Sequence, residues 1–167
     1  MSKYILAVIL IVLIAVPSFS HALIAGDKAP GFEAPSTHGN VILSEFEGKK
    51  NVVLALYYAD FSPVWTGEMQ SFQRDLEKFE RLDTQVLGLS GDNMETHIKF
   101  AEKYNITFPL ISDEDMNIKD KYGRNRITYL IDKKGIIRFI QQGVPENKDF
   151  LEQIKKLSKE EKNRTNE

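Results

Sequence analysis

The chain of 167 residues contains no cysteine. Without a thiol it has no disulfide bonds and no zinc–thiolate or iron–sulfur sites, and any chemistry that uses a cysteine nucleophile is excluded. The net charge is also small, because the chain has 22 Lys and Arg residues and 24 Asp and Glu residues. The formal net charge of -2 offers no basic excess for binding nucleic acid, and no nucleic-acid partner is predicted.

Metal and cofactor motifs are missing as well. His38 and His97 lie far apart in the sequence, without partners at the spacing of a metal site, and there is no glycine-rich phosphate loop. The acidic run at residues 113–115 lacks the glycine and the distant glutamate of a calcium-binding loop. We therefore predict no metal ion and no cofactor.

Length and composition indicate a single folded domain. Hydrophobic residues make up 42% of the chain and charged residues 28%, which is typical of globular proteins and not of disordered ones. A chain of this length has room for one domain with a substantial core.

The N-terminal 22 residues have the layout of a secretory signal peptide. Lys3 supplies a positive charge, residues 4–16 are apolar, and small residues stand at Ser20 and Ala22 before the expected cleavage site. We expect residues 1–22 to be removed and the protein to be exported, to the periplasm of a Gram-negative bacterium or otherwise secreted. After cleavage no membrane association is predicted. The alternative is an uncleaved anchor, although the apolar run is short for a membrane span.

The remaining sequence alternates between strand and helix patterns. Apolar runs predict buried strands over residues 51–59 and 85–90, and between them Met69, Phe72 and Leu76 recur at helical spacing in a helix over 64–82. Ser62 and Pro63 form the start signal of this helix. Further elements are predicted as helices over 95–104, 116–122 and 149–157, and as strands over 108–111, 127–131 and 136–141.

This order predicts the α/β class with a thioredoxin-like fold, in which a central mixed β-sheet has helices on both faces. The domain is expected to span residues 23–157, and the polar residues 158–167 to form a frayed C-terminal tail. In the helix over 95–104, Ile98, Phe100 and Ala101 are expected to face the core.

Residues 57–68 resemble the active-site segment of the peroxiredoxins, the alkyl hydroperoxide reductase C and thiol-specific antioxidant family. On this resemblance the family's proline falls at Ala59, its threonine or serine at Ser62, and its peroxidatic cysteine at Trp65. Residues 100–113 and 126–135 are similar to later parts of the family, and its active-site arginine maps to Arg126. The resemblance covers roughly residues 25–157 and is closest in style to the bacterioferritin-comigratory branch.

A second resemblance is to the TlpA-like thioredoxins. Residues 61–65 and 68–69 can be laid on their Trp-Cys-Pro-Pro-Cys segment and the Glu-Met that follows, with both cysteines lost. Such proteins need a cis-proline at the position of Arg126. The arginine favours the peroxiredoxin interpretation, and the predicted fold is nearly the same in both cases.

The peroxiredoxin resemblance implies a reaction that this chain cannot perform. In that family a thiolate in the first turn of a helix, its pKa lowered by the helix dipole and an arginine, attacks a peroxide. Trp65 has no nucleophile, and the resolving cysteine of the related branch would stand at Gln70. No catalytic residue is expected. Ser62, Trp65, Thr66 and Arg126 remain as a site for a small anionic ligand.

Two classes of function stay open at this point. The first is a cysteine-free pseudoenzyme that binds a protein partner or a small anion, with a homodimer as one form of partner. The second is an antioxidant oxidoreductase with non-thiol chemistry, through a bound cofactor, for which no motif is present, or through methionine oxidation, with Met69 near the site.

Each site residue also has a structural interpretation. Ser62 can serve as a helix cap alone, Arg126 can form an ion pair with Glu68, and Trp65 can fill the former pocket as part of the core. The other possibility for Trp65 is an aromatic anchor in a protein interface.

Overall fold

The computed structural model describes residues 22–165. Apart from Ala22, the predicted signal peptide lies outside the described residues. Within the described part of the chain, no helix is both long and apolar enough to cross a membrane.

The strands of the described residues form one mixed sheet in the order β2-β1-β5-β4-β3-β6-β7. The three central strands, β3, β4 and β5, are parallel, and the outer pairings are antiparallel. The strands are β1 (Glu33–Ser36), β2 (Gly39–Ile42), β3 (Asn51–Leu56), β4 (Thr84–Ser90), β5 (Leu110–Ser112), β6 (Ile127–Ile131) and β7 (Ile137–Gln142). This is the α/β thioredoxin-like arrangement that the sequence predicts.

Alternating side chains of the central strands separate two cores, one on each face of the sheet. The helices are α1 (Pro63–Glu80), α2 (Met94–Tyr104), α3 (Lys119–Tyr122) and α4 (Asn147–Thr165). Helices α1 and α4 and the second half of α2 cover the first core, which contains Val53 and Ala55 of β3. The second core contains Val52 and Leu54, and it is covered by α3 and by the segment before β3.

Helix α1 forms where the sequence predicts it. Ser62 has extended backbone angles and Pro63 follows at the first helical position, where its missing N–H costs nothing. The predicted stripe of α1 faces the first core, because Met69, Phe72 and Phe79 are fully buried. The helix runs over 63–80, close to the predicted 64–82.

Some predicted ends of elements are wrong, and one hairpin is missing from the prediction. Strand β3 ends at Leu56, not at Ala59, and the hairpin of β1 and β2 was not predicted because its strands have only four residues each. The C-terminal helix does not end at Leu157 but continues to Thr165. The added turns contact the β6–β7 hairpin, because Glu161 pairs with Lys133 of the turn and Glu160 pairs with Arg138 of β7.

The inward face of α2 also differs from the prediction. Ile98 is 44% exposed, whereas His97 and Phe100 are completely buried. Phe100 packs edge-on against Phe61, with the ring centroids 5.4 Å apart. The helix is therefore rotated so that an imidazole takes the buried place that was expected for an isoleucine.

We expect the Phe100→Ala variant to lose about 3–5 kcal/mol in its free energy of unfolding, because the change leaves a cavity in the first core. The matched Ile98→Ala change should cost less than about 1 kcal/mol, since this side chain already contacts solvent. Urea denaturation followed by circular dichroism measures both. Equal losses in the two variants would contradict the observed orientation of α2.

Candidate functional site

Trp65 lies in the first turn of α1 and is partly buried against the first core. The guanidinium of Arg126, in the segment before β6, lies over the indole ring at 4.1 Å from its centroid. A cation at this distance from the face of a tryptophan is attracted by the ring's negative π face. The indole therefore has apolar contacts below it and a charged group above it, so that it is both a core residue and part of the site.

Arg126 is held in this position by Glu68. Its Nε donates to Oε2 of Glu68 at 2.7 Å, and its Nη2 donates to the same oxygen. The carboxylate side chain is completely buried, and the arginine side chain is 16% exposed. The ion pair that was one interpretation of Arg126 is thus present, and it places the guanidinium at the first turn of α1.

Burial makes the charge of Glu68 unfavourable. Desolvation raises the pKa of Glu68 from 4.5 to about 7, although the hydrogen bonds and positive charge of Arg126 oppose this rise. The other carboxylate oxygen, Oε1, is buried and has no hydrogen-bond partner among residues 22–165. A proton can therefore be added at Oε1 while Oε2 keeps both bonds to the arginine.

The N-terminal end of α1 has unused hydrogen-bonding groups. Ser62 is the cap residue by position, but its side chain makes no capping hydrogen bond. The prediction that Ser62 caps the helix is therefore right for the backbone and wrong for the hydroxyl. Thr66, at the fourth position of the helix, has a buried hydroxyl that finds no partner in the part of the chain that the structure describes. Such unpaired groups at a helix N-terminus are suited to receive an oxygen-rich ligand.

An apolar rim surrounds this helix end. Tyr58 is 76% exposed, Val64 57% and Phe61 41%, and all three stand within the segment that leads into α1 or in its first turn. Ala59, the remaining residue of the family motif, is half-buried and has no side-chain polar group to bring to the site.

A buried polar network holds the loop between β3 and α1. The carboxylate of Asp60 accepts a hydrogen bond from the Tyr57 hydroxyl at 2.7 Å, and its second oxygen lies 2.7 Å from Nδ1 of His97. The other ring nitrogen of His97 is 3.2 Å from the backbone carbonyl of Ile111. The side chains of His97 and Asp60 are both completely buried, so that with a protonated imidazole they form a buried salt bridge.

The same network extends to neighbouring elements. The backbone N–H of Asp60 donates to Asp92 at 2.7 Å, and the Ser90 hydroxyl donates to the same carboxylate at 2.8 Å. Lys119 of α3 donates to the backbone carbonyl of Tyr57 at 2.7 Å, and burial lowers the pKa of its ammonium group. Burial next to Asp60 also raises the pKa of the Tyr57 hydroxyl. The loop is thereby tied to β4, α2 and α3.

This anchoring supports an unusual backbone conformation. Phe61 has a positive φ of 61°, which a bulky residue adopts only when its surroundings hold it there. Its ring packs on Phe100 and Tyr104 of α2, while the preceding Asp60 is fixed by His97. The direction in which the chain enters α1, and hence the position of Trp65, follows from these contacts.

The structure brings together four of the predicted site residues. Trp65, Thr66 and Ser62 share the first turn of α1 or its cap, and Arg126, just before β6, joins them by stacking on Trp65. Sequence reasoning did not find the network of Tyr57, Asp60 and His97. A usable signal in the sequence is Asp60, which ends the apolar run of residues 51–59, together with His97 on the predicted helix over 95–104.

The α/β thioredoxin-like fold, with Arg126 at the first turn of the helix that follows β3, agrees with the peroxiredoxin resemblance of the sequence. The sequence profile of the AhpC/TSA family matches residues 25–140. The chain belongs to this family, the peroxiredoxins, and the TlpA-like alternative is not needed.

Curated relatives agree with this assignment. The chain is 35% identical over 125 residues to chloroplastic peroxiredoxin Q of Triticum aestivum, which covers 69% of this chain and 57% of the relative. It is 35% identical over 153 residues to a peroxiredoxin of Methanocaldococcus jannaschii, covering 81% of this chain and 70% of the relative. The chain thus spans less than two thirds of the wheat protein.

Solved structures show the same fold. A yeast mitochondrial 1-Cys peroxiredoxin superposes with a TM-score of 0.78 at 25% identity, covering 84% of this chain and 78% of the other. A reduced 2-Cys peroxiredoxin of Plasmodium vivax superposes with a TM-score of 0.77 at 28% identity, covering 83% of each chain.

We expect His97→Ala to lower the free energy of unfolding by about 3–5 kcal/mol, because it leaves Oδ2 of the buried Asp60 carboxylate without its partner and only Oδ1 bonded to Tyr57. Lys99→Ala, on the exposed face of the same helix, is the matched control and should change stability by less than about 0.5 kcal/mol. Urea denaturation at neutral pH measures both. A loss no larger than that of the control would show that the network does not stabilise the loop.

Glu68 should make stability depend on pH. Its pKa is about 7 in the folded chain against 4.5 ordinarily, so the native state binds more protons in this window and stability falls as pH rises through it. Relative to Glu68→Gln, the wild type should lose about 2–3 kcal/mol between about pH 5 and about pH 8.

The measurement is a series of urea denaturations of both proteins across this pH range. Glu77→Gln, an exposed glutamate on the same helix, is the control and should give a curve parallel to the wild type. Parallel curves for wild type and Glu68→Gln would show that Glu68 titrates at its ordinary pKa.

Proposed function

We propose that this peroxiredoxin-family protein is an exported pseudoenzyme that binds a ligand at the former active site instead of reducing peroxides. Trp65 carries this proposal, because an indole occupies the position that the family resemblance assigns to the peroxidatic cysteine, and the whole sequence contains no thiol. An indole N–H only donates hydrogen bonds and cannot attack a peroxide bond.

Binding of a small anion is supported by what surrounds the indole. The N-terminal end of α1 carries partial positive charge, and no side-chain cap from Ser62 uses it. The Thr66 hydroxyl has no partner, and the Arg126 guanidinium lies over Trp65. Hydrogen-bond donors and positive charge are thus both present in the first turn of α1 or in contact with it.

Binding of a protein partner at the same place is supported by the rim. Tyr58, Val64 and Phe61 expose large apolar surfaces around the helix end, which is typical of contact sites. A second copy of this chain would be one such partner, and the proposed homodimer would then cover the site.

Non-thiol antioxidant chemistry has less support. Met69, the methionine near the site, is completely buried, so that its thioether is shielded from dissolved oxidants. Export is supported by the signal-peptide layout of residues 1–22 and is part of the proposal on that ground.

The proposal predicts that the purified wild-type protein consumes no more than one equivalent of hydrogen peroxide per chain in the presence of dithiothreitol. The Trp65→Cys variant should gain repeated turnover, at a rate at least about tenfold above Trp65→Ser, because its thiolate would stand at the end of α1 beside Arg126. Peroxide loss followed over time measures all three proteins.

Trp65→Ser is the matched control, since it opens the same space without a nucleophile. Repeated turnover by the wild type would contradict the pseudoenzyme proposal and favour non-thiol chemistry. If Trp65→Cys were as inert as Trp65→Ser, the loop before α1 would have lost the geometry that a peroxidatic thiolate needs.

A further inference from the structure

Arg126 is only partly used by the protein. A guanidinium has five N–H groups. In the described residues, Nε and Nη2 of Arg126 each donate one hydrogen bond to Glu68, and both bonds end at the same oxygen, Oε2. The rest of the group stacks on Trp65, and the side chain is 16% exposed. One edge of Arg126 is therefore turned to Glu68, and donors remain for a second partner.

The protonation state of Glu68 sets the net charge that the pair of Arg126 and Glu68 presents to a ligand. When the carboxylate is ionised, the pair is neutral and an approaching anion meets both charges. When Glu68 is protonated, the same two hydrogen bonds persist at Oε2 and the pair has a net charge of one positive unit. The unpartnered Oε1 is where this proton can be held without rearrangement of the bonded oxygen.

Among the described residues, the charged groups on the elements that pack against α1 form no ion pair with Glu68. Within the described residues, α1 packs on β4, which has no charged side chain, and on α4. The acid of α1 that faces α4 is Asp75, and it is already bound by Lys78 and Asn147. On β7, Arg138 is paired with Asp132 and Glu160. Arg126 is thus the charge that contacts Glu68.

A second observation points to a ligand at the same place. Trp65 lies in the first turn of α1, so the arginine that stacks on it stands at that helix end. The buried Thr66 hydroxyl of this turn has no partner, and Ser62 leaves the end uncapped. Hydroxyls, helix N–H groups and a guanidinium are the donors that bind oxyanions such as sulfate, phosphate or carboxylate.

We propose that Trp65, Thr66, Arg126 and Glu68 form a proton-coupled site for small oxyanions, which ionised Glu68 closes and protonated Glu68 opens. The inference deepens the proposed function by naming the ligand class and its regulation, and it rests on anion binding at the former active site. The raised pKa of Glu68, about 7, places the transition near neutral pH. Anion binding should then take up a proton.

The test uses sulfate, whose charge does not change near neutral pH, with chloride as the competing salt at constant ionic strength. Trp65 is the only tryptophan of the chain, so its fluorescence reports the site directly. The wild type should bind sulfate about tenfold more tightly at about pH 6 than at about pH 8, since the binding-competent fraction falls by that factor. Glu68→Gln should bind equally at both pH values, and Arg126→Gln should lose binding.

A calorimetric measurement on the wild type alone keeps the test independent of the variants. Sulfate titrations at about pH 8, in two buffers of different ionisation enthalpy, should show uptake of close to one proton per bound anion. No binding at any pH would overturn the inference. Binding without proton uptake, equal in Arg126→Gln, would also overturn it and would indicate an adventitious ion only.

The two proposals can fail separately. If sulfate does not bind but the wild type is inert towards peroxide, the proton-coupled site is wrong and the pseudoenzyme proposal stands. If the wild type turns over peroxide repeatedly and sulfate binding still depends on Glu68, the gating is right and the loss of peroxidase activity is wrong.

Discussion

The buried carboxylate of Glu68 is the constraint on which the arrangement of the site depends. A buried carboxylate without water needs hydrogen bonds from the protein, and Arg126, 58 positions later in the sequence, supplies two of them to Oε2. Because the arginine is held there, its guanidinium covers Trp65. One ion pair thus fixes the arginine, orients the indole and sets the electrostatics of the helix end.

The loop that enters α1 is held by a different kind of contact. Asp60, His97 and Tyr57 form a buried polar network in which the Asp60 carboxylate contacts both other side chains, and it supports the strained backbone of Phe61. Rigidity of this loop and charge at the helix end are therefore supplied by separate groups. This family member retains the rigid loop and the charge at the helix end although it contains no thiol.

Much of the fold could be predicted from local patterns. The apolar runs of β3 and β4 and the stripe of Met69, Phe72 and Phe79 in α1 are properties of neighbouring residues, so periodicity was enough. The β1–β2 hairpin and the extension of α4 could not be predicted in this way. Both depend on contacts with strands distant in the sequence, among them the ion pair of Arg138 with Glu160.

The sequence by itself determined that thiol chemistry is absent, since a composition without cysteine excludes it whatever the fold. It also placed Trp65 and Arg126 in one site through their family positions. Only the tertiary structure decided that Glu68 pairs with Arg126, and that His97 rather than Ile98 is buried. The reason is physical: burial and ion pairing depend on groups brought together from separate elements, and no local pattern of residues records that approach.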